Sequence, residues 1–198
     1  MRALFGGSFN PPHVGHLVVA QACAEAEGVE QVVWMPAATP PHKLGDPALA
    51  PAQARLAMAR AAAQGNDAFA VSDHEIWRAD GAPSFTVDTL RALTADGSAW
   101  ALVVGGDSLA GFAGWRAPRE ILSMARLLVY RRPGADLVGV PDWVLDRTQF
   151  VDGPALDVSS TEIRARLAAG RSVRYLVSDA VLDVIRDRGL YPASDSPG

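Results

Sequence analysis

Short apolar runs alternate with segments of helical periodicity along most of this 198-residue chain. The apolar runs are rich in Val, Leu and aromatic residues, which is typical of strands buried on both faces of a parallel sheet. A strand followed by a helix, repeated several times, is the pattern of an α/β fold. The runs that predict strands are 2–5, 31–35, 68–71, 100–104, 127–130 and 148–151.

Helical periodicity predicts four helices between these strands, at 15–27, 51–64, 87–95 and 118–124. Gly28, Gly65 and Gly97 follow three of them, where a residue in the left-handed conformation commonly closes a helix. Crossovers between parallel strands are right-handed. The pattern therefore predicts a Rossmann-like, doubly wound parallel sheet with helices on both faces.

The C-terminal part of the chain is predicted to be helical. Ser159 and Glu162 have the spacing of a capping box at the start of a helix that Gly170 ends. A second helix is expected at 178–188, stopped by Gly189. No linker divides the chain, so we expect residues 1–191 to form one domain and residues 192–198, rich in Pro, Ser and Gly, to be a disordered tail.

Composition limits the class of protein. Hydrophobic residues make up 49% of the chain and charged residues 20%, as in an ordinary globular protein. No apolar run reaches the roughly 18 residues that span a membrane, and the opening residues do not resemble a signal peptide, so we expect a cytoplasmic protein without membrane contact. The net charge of −4 argues against a nucleic-acid partner. The sequence makes no prediction of oligomeric state.

The first predicted strand runs into a candidate phosphate site. Gly6 and Gly7 allow a ligand to approach the backbone, and the helix that follows offers free N–H groups and a partial positive charge. His13 and His16 stand at i and i+3, so both can point to one side. Zinc is the weaker alternative, because such a site needs three or four ligands. The segment has neither a dinucleotide-binding glycine fingerprint nor a Walker A lysine.

Five segments in order resemble the His-x-Gly-His nucleotidyltransferase superfamily and, within it, the bacterial nicotinate mononucleotide adenylyltransferases. Together they extend over nearly the whole chain, and five in this order are far more specific than any one of them. The segments are 6–16 with both histidines, 35–43 with Pro-Pro-His-Lys, 84–90 with Ser-Phe-Thr, 105–115 with Gly-Gly-Asp and Trp115, and 158–164 with Ser-Ser-Thr-x-x-Arg.

This resemblance implies that ATP lies across the carboxyl ends of the strands. Mg²⁺ would be held chiefly by the ATP phosphates and water, with no metal-ligating side chains. Asp107 would accept hydrogen bonds from the adenosine ribose. The catalytic candidates are His13, His16, Lys43 and Arg164. The residues expected to bind ATP are Gly6, Gly7, Ser8, Phe9, His16, Gly105, Asp107, Ser159, Ser160, Thr161 and Arg164.

The resemblance also implies nicotinate mononucleotide as the acceptor, with its pyridine ring stacked on Trp115. Many family members have an aromatic residue where this chain has Arg116. The resemblance places Thr86 and backbone groups near the carboxylate. If backbone N–H groups read the carboxylate, Arg116 is tolerated and its charge could strengthen preference for the acid over the amide. If the lost aromatic ring contributed to stacking, affinity would be weaker. Arg131 could hold the acceptor phosphate or begin a solvated turn. The residues expected to bind the mononucleotide are Asn10, Lys43, Thr86, Trp115, Arg116 and Arg131.

The acceptor phosphate would be the nucleophile, and it needs no general base because it is mostly dianionic at neutral pH. The expected products are nicotinate adenine dinucleotide and pyrophosphate, in NAD biosynthesis. One alternative is another transferase of the superfamily, with nicotinamide mononucleotide or phosphopantetheine as acceptor. A second is a non-catalytic nucleotide sensor. An aminoacyl-tRNA synthetase is disfavoured because the chain is short and lacks the Lys-Met-Ser-Lys-Ser signature.

Overall fold

A computed structural model describes residues 1–77, 82–131 and 138–192. Six strands form one parallel sheet in the order β3-β2-β1-β4-β5-β6, which is the Rossmann order and confirms the predicted fold class. The strands are β1 (Arg2–Gly7), β2 (Gln31–Pro36), β3 (Phe69–Val71), β4 (Trp100–Gly105), β5 (Ala125–Arg131) and β6 (Thr148–Asp152).

The helices lie between and after the strands. Short 3₁₀ turns occur at Pro41–Lys43 and Phe112–Gly114. The helices are α1 (Val14–Ala24), α2 (Ala52–Ala63), α3 (Thr86–Leu93), α4 (Gly106–Ala110), α5 (Pro118–Met124), α6 (Asp142–Leu145), α7 (Ser160–Ala168) and α8 (Asp179–Asp187). None of the helices within the described ranges is long and apolar enough to cross a membrane.

The six predicted strands and six predicted helices are all present, with ends that shift by a few residues. Gly28, Gly65 and Gly97 have φ of +78°, +84° and +81°, as their positions after helices predict. Helices α4 and α6 were not predicted because four or five residues are too few to show a helical period. Residues 193–198 of the predicted tail lie outside the described part of the chain.

Both faces of the sheet are covered, which explains the apolar character of its strands. On one face the core includes Leu102 of β4, Leu90 of α3 and Ile121 of α5. On the other face, Trp34 of β2 packs in a cluster with Cys23 of α1. A third cluster joins α2, α7 and α8 beside the sheet. The parallel arrangement brings the carboxyl ends of all strands to one edge, where the loops with candidate site residues meet.

Candidate active site

The loop from β1 to α1 places two histidines in contact. His13 is the N-cap of α1, and the centroids of the His13 and His16 rings are 3.8 Å apart. The backbone N–H of His13 donates to Nδ1 of His16 over 3.2 Å. Because Nδ1 of His16 accepts, the proton of a neutral ring belongs on Nε2, which can then donate to a ligand. The i and i+3 spacing therefore does bring both rings to one side of the helix start.

Both imidazoles are neutral at pH 7. Burial lowers the pKa of His13 to about 4. Burial, followed by the charges of His13 and Lys43, lowers the pKa of His16 well below its usual 6.5. Nδ1 of His13 is buried and has no hydrogen-bond partner among the residues that the structure describes. In the free protein the pair is thus a set of polar N–H donors rather than two cations.

Gly15 is required by the packing around His13. A Cβ atom at residue 15 would lie 3.0 Å from Nδ1 of His13 and 3.1 Å from Cγ1 of Val158. Both separations are tighter than nearly all real Cβ contacts. A side chain at this position would push the imidazole away from the helix start, which explains the glycine between the two histidines.

A cavity of about 300 Å³ connects the histidines to the start of α7, and we call it the histidine cavity. It lies at the carboxyl ends of β1 and β4, as predicted for a nucleotide site. The fold therefore brings together candidates that are up to 147 residues apart in sequence. Its predicted candidates are His13, His16, Gly105, Ser159 and Ser160, and its other lining residues include Phe5, Gly15, Tyr130 and Val158.

The start of α7 is tied to the loop after β1 by side chains of the Ser-Ser-Thr-x-x-Arg segment. Ser159 caps the helix by accepting from the N–H of Glu162 at 3.1 Å. Ser160 donates its hydroxyl to the carbonyl oxygen of Pro11 at 2.9 Å. Arg164 donates to the carbonyl oxygen of Asn10 at 2.9 Å, and its second nitrogen lies 3.4 Å from the Thr161 hydroxyl. These bonds hold two helix N-termini at one place.

Lys43 adds a second cation to this edge of the sheet. It ends the 3₁₀ turn that follows β2 and is half-buried. Burial chiefly, and then the positive charge of Arg164, lowers its pKa. Because Lys43 lowers the pKa of His16 and Arg164 lowers the pKa of Lys43, the three groups lie in one electrostatic neighbourhood, as expected for a site that binds a polyanion.

Two residues predicted to bind ligands have buried side chains. Phe9 is 1% exposed and packs against Phe5 and Trp34, so its ring belongs to the core. Asn10 is 0% exposed. Its amide donates to the carbonyl oxygen of Ala48 and accepts from the N–H of Ala50 and the hydroxyl of Tyr191. The Asn10 side chain is therefore hydrogen-bonded to three residues of the protein and positions the loop.

The sequence patterns did not predict the structural role of Arg55. Its side chain is 1% exposed and donates to four backbone carbonyl oxygens at 2.6–2.9 Å. These carbonyls belong to Ser8 after β1, Ala37 and Ala38 after β2, and Ala50 before α2. Burial is the main cause that lowers its pKa, to about 10. The sequence did contain a signal for its burial. Arg55 lies four residues before Ala59 and seven before Ala62, which places it on the apolar side of α2.

A second cavity, of about 460 Å³, contains the predicted acceptor residues, and we call it the tryptophan cavity. Thr86 begins α3, while Trp115 and Arg116 follow the 3₁₀ turn after α4. Ser84 fixes the entrance, because its N–H donates to the carbonyl oxygen of Thr39 at 2.9 Å. The lining residues are Pro41, His42, Ser84, Phe85, Thr86, Gly114, Trp115, Arg116 and Ile121.

Asp107 and Arg131 do not line either cavity, and neither do the candidates Gly6, Gly7, Ser8, Lys43, Thr161 and Arg164. Asp107 is exposed in the first turn of α4, directly after the carboxyl end of β4. Arg131 is absent from the lining of the tryptophan cavity; it forms a two-bond ion pair with Asp152, at 2.9 and 3.1 Å, and its guanidinium lies over Phe150. The structure thus brings Thr86, Trp115 and Arg116 together but leaves Arg131 apart from them.

Comparison with known families agrees with this geometry. A family model described as cytidylyltransferase-like matches residues 4–166, a range that includes the histidine pair, both cavities and the start of α7. The chain belongs to the cytidylyltransferase-like family. Two relatives also match the chain over nearly its whole length.

A probable nicotinate-nucleotide adenylyltransferase of Salinibacter ruber is 48% identical over 97% of this chain and 98% of its own length. One from Symbiobacterium thermophilum is 37% identical over 99% of this chain and 97% of its own. These matches confirm the resemblance to nicotinate mononucleotide adenylyltransferases, and this cytidylyltransferase-like protein is accordingly a nucleotidyltransferase.

A solved structure shows the same fold. The nicotinic acid mononucleotide adenylyltransferase of Plasmodium falciparum, complexed with NaAD, superposes with a TM-score of 0.77 over 96% of both chains. At 15% identity, that likeness is one of fold. The cytidylyltransferase-like fold is therefore shared by two chains in which most residues differ.

Proposed function

We propose that this chain transfers AMP from ATP to nicotinate mononucleotide, giving nicotinate adenine dinucleotide and pyrophosphate in NAD biosynthesis. The full-length relatives named nicotinate-nucleotide adenylyltransferase support this activity. The structural observation that carries it is the pair of cavities at the carboxyl edge of the sheet. One has N–H donors and a helix N-terminus suited to phosphates, and the other has an aromatic wall suited to a pyridine ring.

In this proposal the histidine cavity takes the triphosphate of ATP. The glycine turn of Gly6 and Gly7 allows a backbone approach, since a Cβ atom at residue 6 would meet nothing within 4 Å. Nε2 of His16 donates to a phosphate oxygen, and Arg164 and Lys43 supply positive charge. Asp107 accepts hydrogen bonds from the ribose. The lowered pKa values of the histidines suit this role. A neutral imidazole N–H can donate to phosphate without the cost of desolvating a charged imidazolium.

The chemical step is an in-line displacement. An oxygen of the acceptor phosphate forms a bond to the α-phosphorus of ATP, the bond from that phosphorus to the bridging oxygen breaks, and the electron pair leaves with pyrophosphate. The acceptor phosphate is already mostly dianionic at neutral pH, so the protein need not remove a proton. Its residues orient two polyanions and stabilise the charge that develops on pyrophosphate.

We propose that Mg²⁺ accompanies ATP. Among the described residues no group of three or more His, Cys, Asp or Glu side chains could hold a metal ion. The ion would therefore be bound through phosphate oxygens and water, where it would neutralise phosphate charge. Since ATP and its acceptor are intracellular metabolites, we also propose a cytoplasmic location, with residues 1–191 acting as one catalytic domain.

The test measures pyrophosphate release with ATP and Mg²⁺ and three separate acceptors: nicotinate mononucleotide, nicotinamide mononucleotide and phosphopantetheine. We expect fast release with the nicotinate compound and much slower release with the other two. Faster release with phosphopantetheine would overturn the acceptor assignment and keep the transferase. Tight ATP binding with no release from any acceptor would instead identify a nucleotide sensor.

A further inference from the structure

Arg116 lines the tryptophan cavity as an exposed side chain that stacks on an aromatic ring. Its guanidinium carbon lies 4.5 Å from the centroid of the Phe85 ring, a cation–π contact. Both residues line the cavity beside Trp115. Within the described ranges, no carboxylate forms an ion pair with Arg116. The stacked ring covers one face of the guanidinium, and the in-plane N–H donors remain available to a ligand in the cavity.

The described lining of the tryptophan cavity has a positive charge and no negative charge to balance it. Among the described residues that line the cavity there is no Asp or Glu, and Arg116 is the one permanently charged group of that described lining. His42, the other titratable lining residue, is exposed. A bound anionic group would therefore meet an uncompensated cation, whereas a bound cation would meet repulsion from the same group.

This charge acts differently on the two pyridine mononucleotides. The ring of each carries a positive charge, so Arg116 repels both rings to a similar extent. The acid also carries a carboxylate, which can accept two parallel N–H bonds from a guanidinium, while the amide offers a neutral group. Specificity is the difference between two affinities, and here one side chain both attracts the acid and disfavours the amide.

We infer that Arg116, held against Phe85, is the specificity residue that selects a pyridine carboxylate over a carboxamide. The inference rests on the proposed pyridine mononucleotide transfer and adds the group that reads the acid. The planar, charged side chain at residue 116 contacts the substituent on the ring, while Trp115 stacks on the ring itself. Phe85 contributes by limiting the rotamers of Arg116, so less conformational freedom is lost when the carboxylate binds.

The test compares Arg116→Met with Arg119→Met. Arg119 is a matched control because its guanidinium also stacks on an aromatic ring, Trp143 at 4.3 Å, and it does not line the cavity. We would measure kcat/KM for nicotinate and nicotinamide mononucleotides at saturating ATP. Arg116→Met should reduce the acid-to-amide ratio by about 10- to 100-fold, mainly through loss of activity with the acid. Arg119→Met should leave the ratio unchanged.

Two further variants separate charge from shape. Arg116→Lys keeps the charge but loses the planar pair of N–H donors of the guanidinium. Its acid-to-amide ratio should therefore lie between those of Arg116→Met and the wild type. Phe85→Leu keeps the charge and removes the stack, and a ratio about 3-fold lower is expected. The KM for ATP should stay the same in every variant. An acid-to-amide ratio within 2-fold of wild type in Arg116→Met would overturn the inference.

Calorimetric binding of each mononucleotide without ATP separates this inference from the proposed function. Wild-type protein that releases no pyrophosphate with either pyridine acceptor would contradict the proposed function. The binding ratio of acid to amide in wild type and Arg116→Met then still decides the specificity role. An unchanged binding ratio overturns that role, and a ratio that falls on loss of Arg116 supports it.

Discussion

The two cavities at the carboxyl edge of the sheet are built in opposite ways. The histidine cavity is lined by polar groups at two helix starts, including His16 and Ser160, together with apolar residues such as Val158. The loop beside it is held by hydrogen bonds of the buried Asn10 and Arg55 side chains. The tryptophan cavity is formed by aromatic rings and one stacked cation, with few hydrogen bonds between its residues. Substitutions of the supporting residues Asn10 and Arg55 should therefore change stability and turnover together, whereas substitutions in the tryptophan cavity should change acceptor use alone.

The largest effect is expected from Arg55→Met. It would leave four buried carbonyl oxygens without their donor, and breaking a buried charged network typically costs about 3–5 kcal/mol. Urea denaturation would measure the free energy of unfolding, and KM for ATP should rise because the loops after β1 and β2 lose a common support. Arg60→Met is the matched control from the same helix, since its ion pair with Asp73 is exposed and should contribute less than about 1 kcal/mol.

His16→Asn should act chiefly on turnover. Loss of the Nε2 donor is expected to lower kcat by about 10²- to 10³-fold, as for removal of one preorganised donor to a developing anion. The Asn amide can still accept from His13, which limits the loss of stability; His16→Ala would also remove a ring that packs on Phe9. Steady-state kinetics with thermal unfolding tests this, with His74→Asn as control. Wild-type kcat in folded His16→Asn would refute a catalytic role.

The buried histidines also predict how stability depends on pH. The pKa of His13 is about 4 in the folded state and 6.5 ordinarily, so below pH 6.5 the unfolded chain takes up a proton that the folded chain does not. The stability that depends on neutral His13 is therefore fully present above pH 6.5 and is lost as the pH decreases towards 4. His13 alone should remove about 2 kcal/mol by pH 5, and His16 acts in the same direction.

Urea denaturation at pH 7.5 and pH 5.0 measures this dependence. The loss of unfolding free energy between the two values should be about 2 kcal/mol smaller in His13→Asn than in wild type. His42→Asn, at an exposed histidine, should leave the difference unchanged. Equal pH dependence in wild type and His13→Asn would show that His13 is not desolvated.

Trp115→Leu tests the tryptophan cavity and has the smallest expected effect on the stability of the fold. Trp115 is partly buried, and leucine keeps its apolar contact with Phe112. We expect kcat/KM for the acceptor to fall about 10-fold, because aromatic stacking on a ring is worth roughly 1–3 kcal/mol. KM for ATP and the free energy of unfolding should change little, as in the control Trp77→Leu. A parallel rise in KM for ATP would show that the cavities are not independent.

Local patterns predicted much of the site as well as the fold. The spacing of His13 and His16 predicted that their rings share a side, and Ser159 and Glu162 predicted a helix cap; both features occur. The burial of the Phe9 and Asn10 side chains was not predicted. Sequence placed them in a ligand-binding loop, but their orientation depends on what the rest of the chain packs around them.

Arg131 shows the same limit. Its place at the end of β5 was predicted, but its pairing with Asp152 depends on the register between β5 and β6. The direction of a polar side chain is decided by partners that are distant in sequence. No period or motif at the residue itself reports such partners.

The sequence by itself determined the alternation of strands and helices, the glycines at helix ends and the types of residue at the carboxyl edge. These features arise from interactions within a few residues, where backbone conformation and hydrophobic period suffice. Tertiary structure alone decided that Tyr191 bonds to Asn10 across 181 residues, that Arg55 supports three segments, and that Arg116 stacks on Phe85. The physical reason is that buried polar groups take whichever partner chain closure brings within hydrogen-bond distance.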